Sequence, residues 1–388
     1  MNRLTWLASY PKSGSTWVRA FLAAYQSFEP GLAEFDLTQV PHCSTSDSRA
    51  TLFAEIAGKP FESLSEGEID ALRGQVQRRL ASSTDSTRVV KTHNVRAMRG
   101  GFPLIDRTVT RRAVYVVRNP LDIIDSMADH AALAIDGAIA LLGDRRHQMG
   151  GKDGTVRQYI DSWSEHVTSW TQHPAFPILV LRYEDMLNDT SQAFSHLLKF
   201  LEWEIEPVRL AWAIEQTRFD SLQQKEAANG FAEVSCVAKS GVFFRHGQHC
   251  RWPSVLTKVQ AERVIQDHAA AMRLIGYEVP DLDQIYSQLG DSGEAVSLSK
   301  AVPSVALVTH EAKLASVRST PKEKVKQLFV PPEWKRWIAE NLLLGVKPDE
   351  LVRVLIEKGY PESLCRLEVD VADSHPYMNA ARQVMQRK

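Results

Sequence analysis

A chain of 388 residues with 44% hydrophobic and 24% charged residues and a net charge of −1 has the balance of a globular protein able to bury a sizeable core. Near-neutrality excludes a global field for nucleic acid or acidic membrane, so any anion site must be built locally. The four cysteines, Cys43, Cys236, Cys250 and Cys365, form no C-x-x-C pair and no disulfide framework, and no run approaches the roughly 20 apolar residues of a membrane span, so a cytoplasmic protein is expected.

The first predicted element is a strand at 4–9, "LTWLAS", which turns through Pro11-Lys12-Ser13-Gly14-Ser15-Thr16 into a helix at 15–28. Such a turn aims several backbone N–H groups at one point and adds the partial positive charge of the helix N-terminus. Gly14 permits close backbone approach, Ser15 and Thr16 supply hydroxyls, and Lys12 supplies a full charge. Alone, the stretch fits either a phosphate cradle or a capped helix with a solvated lysine. Its lysine precedes the glycine, whereas a Walker loop places the lysine after it.

A helical pattern at 66–82 leads to a second strand, "TRVVKTH" (87–93), which ends in Lys91-Thr92-His93. A histidine beside a lysine resists protonation and stays available as a base; the alternative is a satisfied core histidine. The third strand, "RAVYVVR" (112–118), carries Arg118 at its tip, and the helix expected at 120–142 places Ser126 just beyond. Arg118 suits bidentate contact with a phosphate, or else an ion pair with Asp122 or Asp125. A helical pattern at 155–172 precedes the fourth strand, "FPILVLRY" (176–183), and further helices are expected at 190–202, 207–217 and 257–275. Nearly continuous apolar strands alternating with helices predict an α/β fold, a central parallel sheet flanked by helices, with ligands beyond the carboxyl ends of the strands. Late in this region "VFFRHGQHCRW" (242–252) offers Arg245 and Gly247 as a clamp on an anion. Basic residues at several strand ends call for a polyanion to compensate them.

Composition shifts near 288, and residues 288–330 read as a connector rich in small polar residues. Beyond it, "PPEWKRWIAENLLLG" and "KPDELVRVLIEKGY" predict two helices closed by Gly345 and Gly359, the first with Trp334, Trp337, Ile338 and Leu342 on one face. The expected division is a catalytic domain over 1–287, a connector over 288–330 and a small all-helical module over 331–388. That module packs on the catalytic domain or mediates a homodimer or partner contact, and its tryptophans are core or a partner-facing stripe.

"YPKSGSTW", "VVKTH", "VVRNPLDIIDS", "LRYEDM" and "RHGQHCRW", in this order, resemble the motif set of the cytosolic sulfotransferases over residues 3–280. The resemblance implies a P-loop-like sulfotransferase fold, with 3′-phosphoadenosine 5′-phosphosulfate (PAPS) as donor, adenosine 3′,5′-bisphosphate as product, and no metal. It implies that Lys12, Ser13, Gly14, Ser15 and Thr16 hold the 5′-phosphosulfate and that Arg118, Ser126, Arg245, His246 and Gly247 hold the 3′-phosphate. Trp17, Tyr183, Thr217 and Phe219 would surround the adenine. His93 matches the catalytic base, Lys91 an assistant at the sulfuryl group, and Lys12 the cation beside the departing phosphate oxygen. That last role accounts for the lysine order, since no Mg²⁺ needs the hydroxyl.

This chain departs from the family pattern in three places: Ser15 replaces a threonine, His246 replaces a lysine, and Cys250-Arg251 stand where Gly-Asp is usual. His246, His249 and Cys250 could suggest a metal, but three ligands in one loop without a distant fourth argue against it. The acceptor, a small-molecule or carrier-tethered hydroxyl compound, is expected among the loops 29–60, 95–107, 128–155 and 220–243, with an apolar helix at 128–144 as pocket wall or core. Two rivals stand beside this reading. One is a P-loop kinase using Mg-ATP, with Glu184 and Asp185 as metal-holding acids; the other is a non-catalytic nucleotide-binding scaffold.

Overall fold

Alternate side chains of the first strand, β1 (Leu4–Ser9), enter two different cores. Leu4, Trp6 and Ala8 join one, and Leu7 joins the other. The computed structural model describes residues 3–83, 89–152, 154–234, 237–292, 332–360, 362–374 and 378. Its central sheet adds β2 (Ser44–Ser46), β3 (Val89–Thr92), β4 (Thr110–Val117) and β5 (Ile178–Arg182), all parallel, in the order β2-β3-β1-β4-β5. The same alternation runs through β4, where Ala113, Tyr115 and Val117 face one core and Val114 and Val116 the other. Burial on both faces explains the continuous apolar runs in the sequence. The edge strand β2 was not predicted; Ser-Thr-Ser is too short and polar to announce itself, and it pairs only with β3.

The flanking helices are α1 (Ser15–Ser27), α2 (Glu66–Ser83), α3 (Pro120–His130), α4 (Ile135–Gly143), α5 (Trp163–Thr171), α6 (Thr190–Leu201), α7 (Pro207–Gln216), α8 (Phe219–Asn229) and α9 (Lys258–Leu274). The helix expected at 120–142 is two helices, and the apolar helix expected at 128–144 is correspondingly broken. Ala132 takes a left-handed φ of 55°, its N–H donating to Asp129 O (3.1 Å), while Leu133 N donates to Ala128 O (2.8 Å). This is a Schellman closure with alanine in the place usually held by glycine, so the sequence carried no stop signal. The helix expected at 155–172 starts only at Trp163, after Asp161 at φ 55° and a capping box between Ser162 and Glu165.

Contacts divide the chain into two compact units, Met1–Lys313 and Leu314–Lys388. The expected connector lies outside the described residues from 293 to 330. In the second unit, α10 (Pro332–Leu343), α11 (Pro348–Glu357) and α12 (Glu362–Ser374) surround Ile338, Leu342, Leu351, Leu355, Cys365 and Val369. Trp334 and Trp337 pack edge to face at 5.3 Å against that core. The third helix was not anticipated. Gly345 closes α10 in the left-handed region at φ 85°, with Val346 N donating to Asn341 O (3.0 Å).

In the second sheet-face core Phe194 of α6 is fully buried and stacks on Phe21 of α1 with ring centroids 3.9 Å apart. Phe194→Ala should destabilise the first unit by about 3–5 kcal/mol, read as a lower midpoint for its chemical-denaturation transition. A shift equivalent to less than about 1 kcal/mol would show that this stack is not part of what fixes α1 and its preceding turn.

Candidate active site

The carboxyl ends of the strands open into a cavity of 850 Å³. β1 delivers Lys12, β3 delivers Lys91 and His93, β4 delivers Arg118, and the residue after β5, Tyr183, completes the row. The turn after β1 is tight: Lys12 adopts φ 66° and Gly14 φ 101° as the N-cap residue of α1. A Cβ on Gly14 would lie 2.6 Å from the Tyr183 ring, so glycine alone fits both the conformation and the space. The 242–252 loop closes the far wall. Its Gly247, at φ 61°, sits so close to the Phe219 ring that a Cβ would be 2.2 Å away.

Most of the expected residues meet here. Lys12, Gly14, Ser15, Thr16, Trp17, Lys91, His93, Arg118, Ser126, Tyr183, Phe219, Arg245, His246 and Gly247 all line the cavity. Ser13 and Thr217 do not. Thr217 is fully buried with its hydroxyl donating back to Ala213 O (2.7 Å), and Ser13 is buried behind the turn. Of the loops expected around an acceptor, 29–60, 128–155 and 220–243 contribute residues to the cavity lining and 95–107 contributes none. That segment instead forms a small hairpin, Met98–Arg99 with Phe102–Pro103, and Leu104 O accepts from Gln77 of α2.

His93 is held in one orientation. Its Nδ1–H donates to Ser9 O (2.7 Å), with Ser9 Oγ also at 3.2 Å, and its backbone N–H donates to Gln158 Oε1 (3.0 Å). Nε2 has no partner among the described residues, so it carries the lone pair. Burial, reinforced by the Lys91 charge, pushes the imidazole down to about 3. Behind it, Tyr115 Oη donates to His166 Nδ1 (2.9 Å) and His166 Nε2–H donates to His93 O (3.1 Å). Lys12 stands over the Phe243 ring at 4.5 Å, and burial lowers its ammonium to about 8, with Asp129 opposing and Arg118 and Arg245 assisting. Burial also lowers Lys91.

Several of the cavity's basic side chains pair with carboxylates of the protein. Arg245 lies 3.4 Å from Asp125 and 3.8 Å from Asp129, while His246 and Arg251 each reach Asp125 at 3.6 Å. Glu233 ion-pairs with Arg19 and accepts from Thr16 Oγ1 (3.1 Å). Burial alone would raise the Glu233 carboxyl, but the charges of Lys91 and Arg19 and the hydrogen bonds from Arg19 and Thr16 hold it at about 2. The expectation that only an external polyanion balances these charges is therefore corrected for Arg245. Arg118 is different: it pairs with neither Asp122 nor Asp125, lies over the Tyr183 ring at 4.5 Å and donates to Gln248 O (2.9 Å).

Asp122 has another task, which the sequence reading missed. Its carboxylate accepts from the N–H groups of Cys250 (2.7 Å), Arg251 (2.9 Å) and Trp252 (3.1 Å), and so fastens the 242–252 loop to α3. Its place two residues before Ile124, in the first turn of a helix, gave only an N-terminal acid signal. Glu184 accepts from Asn119 N (2.9 Å) and Tyr277 Oη (2.6 Å), and Asp185 pairs with Arg182, so both suggested metal acids are engaged elsewhere. Among the described residues no group of three His, Cys, Asp or Glu side chains converges as a metal site. Cys250 is a thiol, its pKa pushed up to about 12 by burial and Asp122.

The residues fit an anionic nucleotide. Ser13 Oγ, Trp17 Nε1 and Arg118 Nε are buried polar atoms without partners among the described residues, two of them on side chains lining the cavity, and Gly14 and Gly247 let the Tyr183 and Phe219 rings pack closely into that lining. The sulfotransferase domain description matches residues 3–276. Dog sulfotransferase 1A1 is 26% identical, covering 70% of this chain and 83% of its own length. Mouse sulfotransferase 1 family member D1 is 24% identical, with 69% and 82% covered. A crystal structure of retinol dehydratase in complex with androsterone and inactive cofactor PAP is similar at 17% identity and a TM-score of 0.47, covering 71% of this chain and 82% of that one. The chain belongs to the sulfotransferase family, whose reaction is PAPS-dependent sulfuryl transfer to a hydroxyl acceptor. No helix of the described residues is long and apolar enough to cross a membrane.

Asp122→Ala should release the 250–252 turn. Hydrogen bonds to a charged acceptor contribute about 1.5–3 kcal/mol, so amide exchange at Cys250, Arg251 and Trp252 should accelerate about 10- to 100-fold. Unchanged protection at those three amides would mean that the loop is held by something else.

Proposed function

We propose that this sulfotransferase uses His93 as general base, Lys12 and Lys91 as electrostatic partners of the transferring group, and the Arg118–Arg245 wall as the 3′-phosphate grip. The observation that carries this reading is the posture of His93: neutral, tethered through Nδ1 to Ser9 O, with a free Nε2 on a cavity shared with two lysines. Bound PAPS supplies an activated sulfuryl group on a 5′-phosphate. His93 Nε2 takes the proton of an acceptor hydroxyl; a new S–O bond forms to that oxygen. The bond from sulfur to the bridging phosphate oxygen breaks, and the electron pair stays on that oxygen, beside Lys12. Lys91 and the N–H groups of the Lys12–Thr16 turn screen the sulfuryl oxygens.

Ser13, Ser15 and Thr16 join this turn's set, Ser126, His246 and Gly247 complete the 3′ grip, and Trp17, Tyr183, Thr217 and Phe219 form the adenine end. Trp17 and Tyr183, edge to face at 5.9 Å, support that last assignment, while Thr217 acts from behind the lining. The engagement of Glu184 and Asp185 in internal bonds counts against a Mg-ATP kinase. In the same reading the reaction is cytoplasmic, the acceptor is a small molecule or a carrier-tethered one, and residues 331–388 provide a self- or partner-contact module with its own core.

His93→Ala should cost about 10²–10⁴ in transfer rate while calorimetric affinity for adenosine 3′,5′-bisphosphate stays unchanged. That nucleotide should bind in preference to ATP, equally with and without Mg²⁺. Full transfer by the variant would remove His93 from the chemistry, and a Mg²⁺-dependent preference for ATP would replace the reading with a kinase.

The pH dependence has a definite sign. Lys12, lowered to about 8, is charged below that pH and neutral above it, so affinity for the bisphosphate should decline as pH rises through about 8. His93, held down to about 3, should contribute no acid limb to kcat/KM between pH 5 and 8. An affinity flat to pH 9.5 would show that Lys12 does not face the nucleotide's phosphate.

A further inference from the structure

The strand order divides the cavity into two ends. β1, β4 and the end of β5 bring Lys12, Arg118 and Tyr183 to one side of His93. The edge strand β2 brings Ser46, and just past it Ser48 and Arg49, to the other. Ser46 lies in register with Lys91, and neighbouring strands are about 4.8 Å apart. The tip of β2 therefore borders the histidine on the side away from the nucleotide residues. We propose that this β2 end is the acceptor subsite, and that it takes a polar hydroxyl compound carrying an anionic group, a carboxylate or a phosphate ester, with Arg49 as its ion partner. The inference rests on the residue roles proposed above.

Three observations carry it. First, the wall is hydrophilic: Ser46, Ser48, Arg49, Thr155 and Gln158 line it, with Met149 as its apolar member. The aromatic lining, Trp17, Tyr183, Phe219, Phe243, Phe244 and Trp252, comes from α1, from the end of β5, from α8 and from the 242–252 loop. A flat apolar acceptor would cover the Gln158 amide nitrogen and the Arg49 guanidinium without offering either a partner, which disfavours it.

Second, Gln158 is buried to 7% exposure with one end fixed, its Oε1 accepting from His93 N. The amide nitrogen has no partner among the described residues, so a donor is aimed and held at the cavity next to the base. Third, Arg49 lines the cavity without a carboxylate, carbonyl or ring partner among the described residues. Glu233, a carboxylate of the same cavity, is engaged by Arg19 and Thr16. Arg49, exposed to solvent at this cavity end, is thus a cation without a protein partner among the described residues and open to an anionic ligand.

The wall is also braced, as a specificity surface must be. Asp47, directly before Ser48, accepts from Thr92 Oγ1 (3.1 Å) and Asn94 Nδ2 (3.2 Å), and its N–H donates to Lys91 O (3.3 Å). Ser46 Oγ and Ser48 Oγ share a hydrogen bond of 2.8 Å. Val156 N donates to Ser48 O (2.7 Å), and Ala50 N to Gly154 O (2.8 Å), which locks the β2 exit onto the segment carrying Thr155 and Gln158. These bonds tie the two exit loops to the end of the strand that precedes His93.

The test uses the full chain loaded with adenosine 3′,5′-bisphosphate and titrated by calorimetry with matched pairs: glucuronate against glucose, glycerol 3-phosphate against glycerol, and 4-hydroxybenzoate against 4-hydroxybenzamide. Labelled PAPS reports transfer to the same compounds. In wild type the anionic member of at least one pair should bind about fivefold tighter, as expected for an ion pair on an exposed arginine. Arg49→Gln should abolish that preference through KM, leaving kcat and the neutral compounds unchanged, and Arg49→Lys should restore part of it. The carboxylate and phosphate arms identify which anion is read. A preference for neutral compounds, no discrimination in any pair, or discrimination that survives Arg49→Gln would each overturn the inference. Failure of the bisphosphate itself to bind would instead overturn the underlying residue roles.

Discussion

The structure depends on how it tolerates positive charge crowded at the carboxyl edge of a buried sheet. Lys12, Lys91, Arg118 and Arg245 line one cavity, and Arg19 stands behind it. Like charges in a part-dry cavity repel strongly, because the effective dielectric there is far below that of water. The protein meets this in two ways. It lets burial pull Lys12 and Lys91 toward neutrality, and it brings in carboxylates from two separate places, Asp125 and Asp129 on α3 and Glu233 after α8. Burial, reinforced by the Lys91 charge, keeps His93 neutral, so one of the charges that make the cavity attract an anion also helps to leave its histidine unprotonated.

Much of this was legible in the sequence because strand tips are legible. A continuous apolar run buried on both faces identifies a parallel strand, and its last residue must point beyond the sheet. Lys12, His93 and Arg118 could therefore be placed at one edge from the positions of "LTWLAS", "VVKTH" and "VVR" alone, and Tyr183 with them. The late clamp was legible only through motif order, since nothing in the spacing of Arg245 and Gly247 says which surface they close upon. The helix boundaries that failed did so where the stop signal was unusual: a Schellman turn built on Ala132, and a capping box at Ser162 following a left-handed Asp161.

What the sequence could not reveal is pairing across long separations between residues of ordinary type. Asp122, Asp125 and Asp129 recur at the spacing of one helix face and would pass for a solvated stripe. In the fold, Asp122 becomes the acceptor for three consecutive N–H groups, and Asp125 faces two arginines and a histidine. Glu233 sits in a region without periodicity, yet it reaches Arg19, more than two hundred positions earlier in the chain. Edge strand β2 was equally silent. Its significance comes from the order β2-β3-β1-β4-β5, which the spacing of elements along the chain does not specify.

These internal carboxylates bear on what donor affinity would measure. A nucleotide that grips Arg245 would compete with Asp125 and Asp129 for it, and one that accepts from Thr16 would displace Glu233 from that hydroxyl. Binding is then an exchange of one charged arrangement for another, so its net free energy is smaller than the number of new contacts suggests. The exchange also differs between the two ends of the cavity. Arg118 has a buried Nε with no partner among the described residues and no carboxylate to give up, so a contact there would be a gain without a matching loss. Arg49 at the opposite end is exposed, but it too has no carboxylate partner among the described residues to give up. On this argument the net attraction for anions concentrates at two separated points of the cavity, with His93 between them.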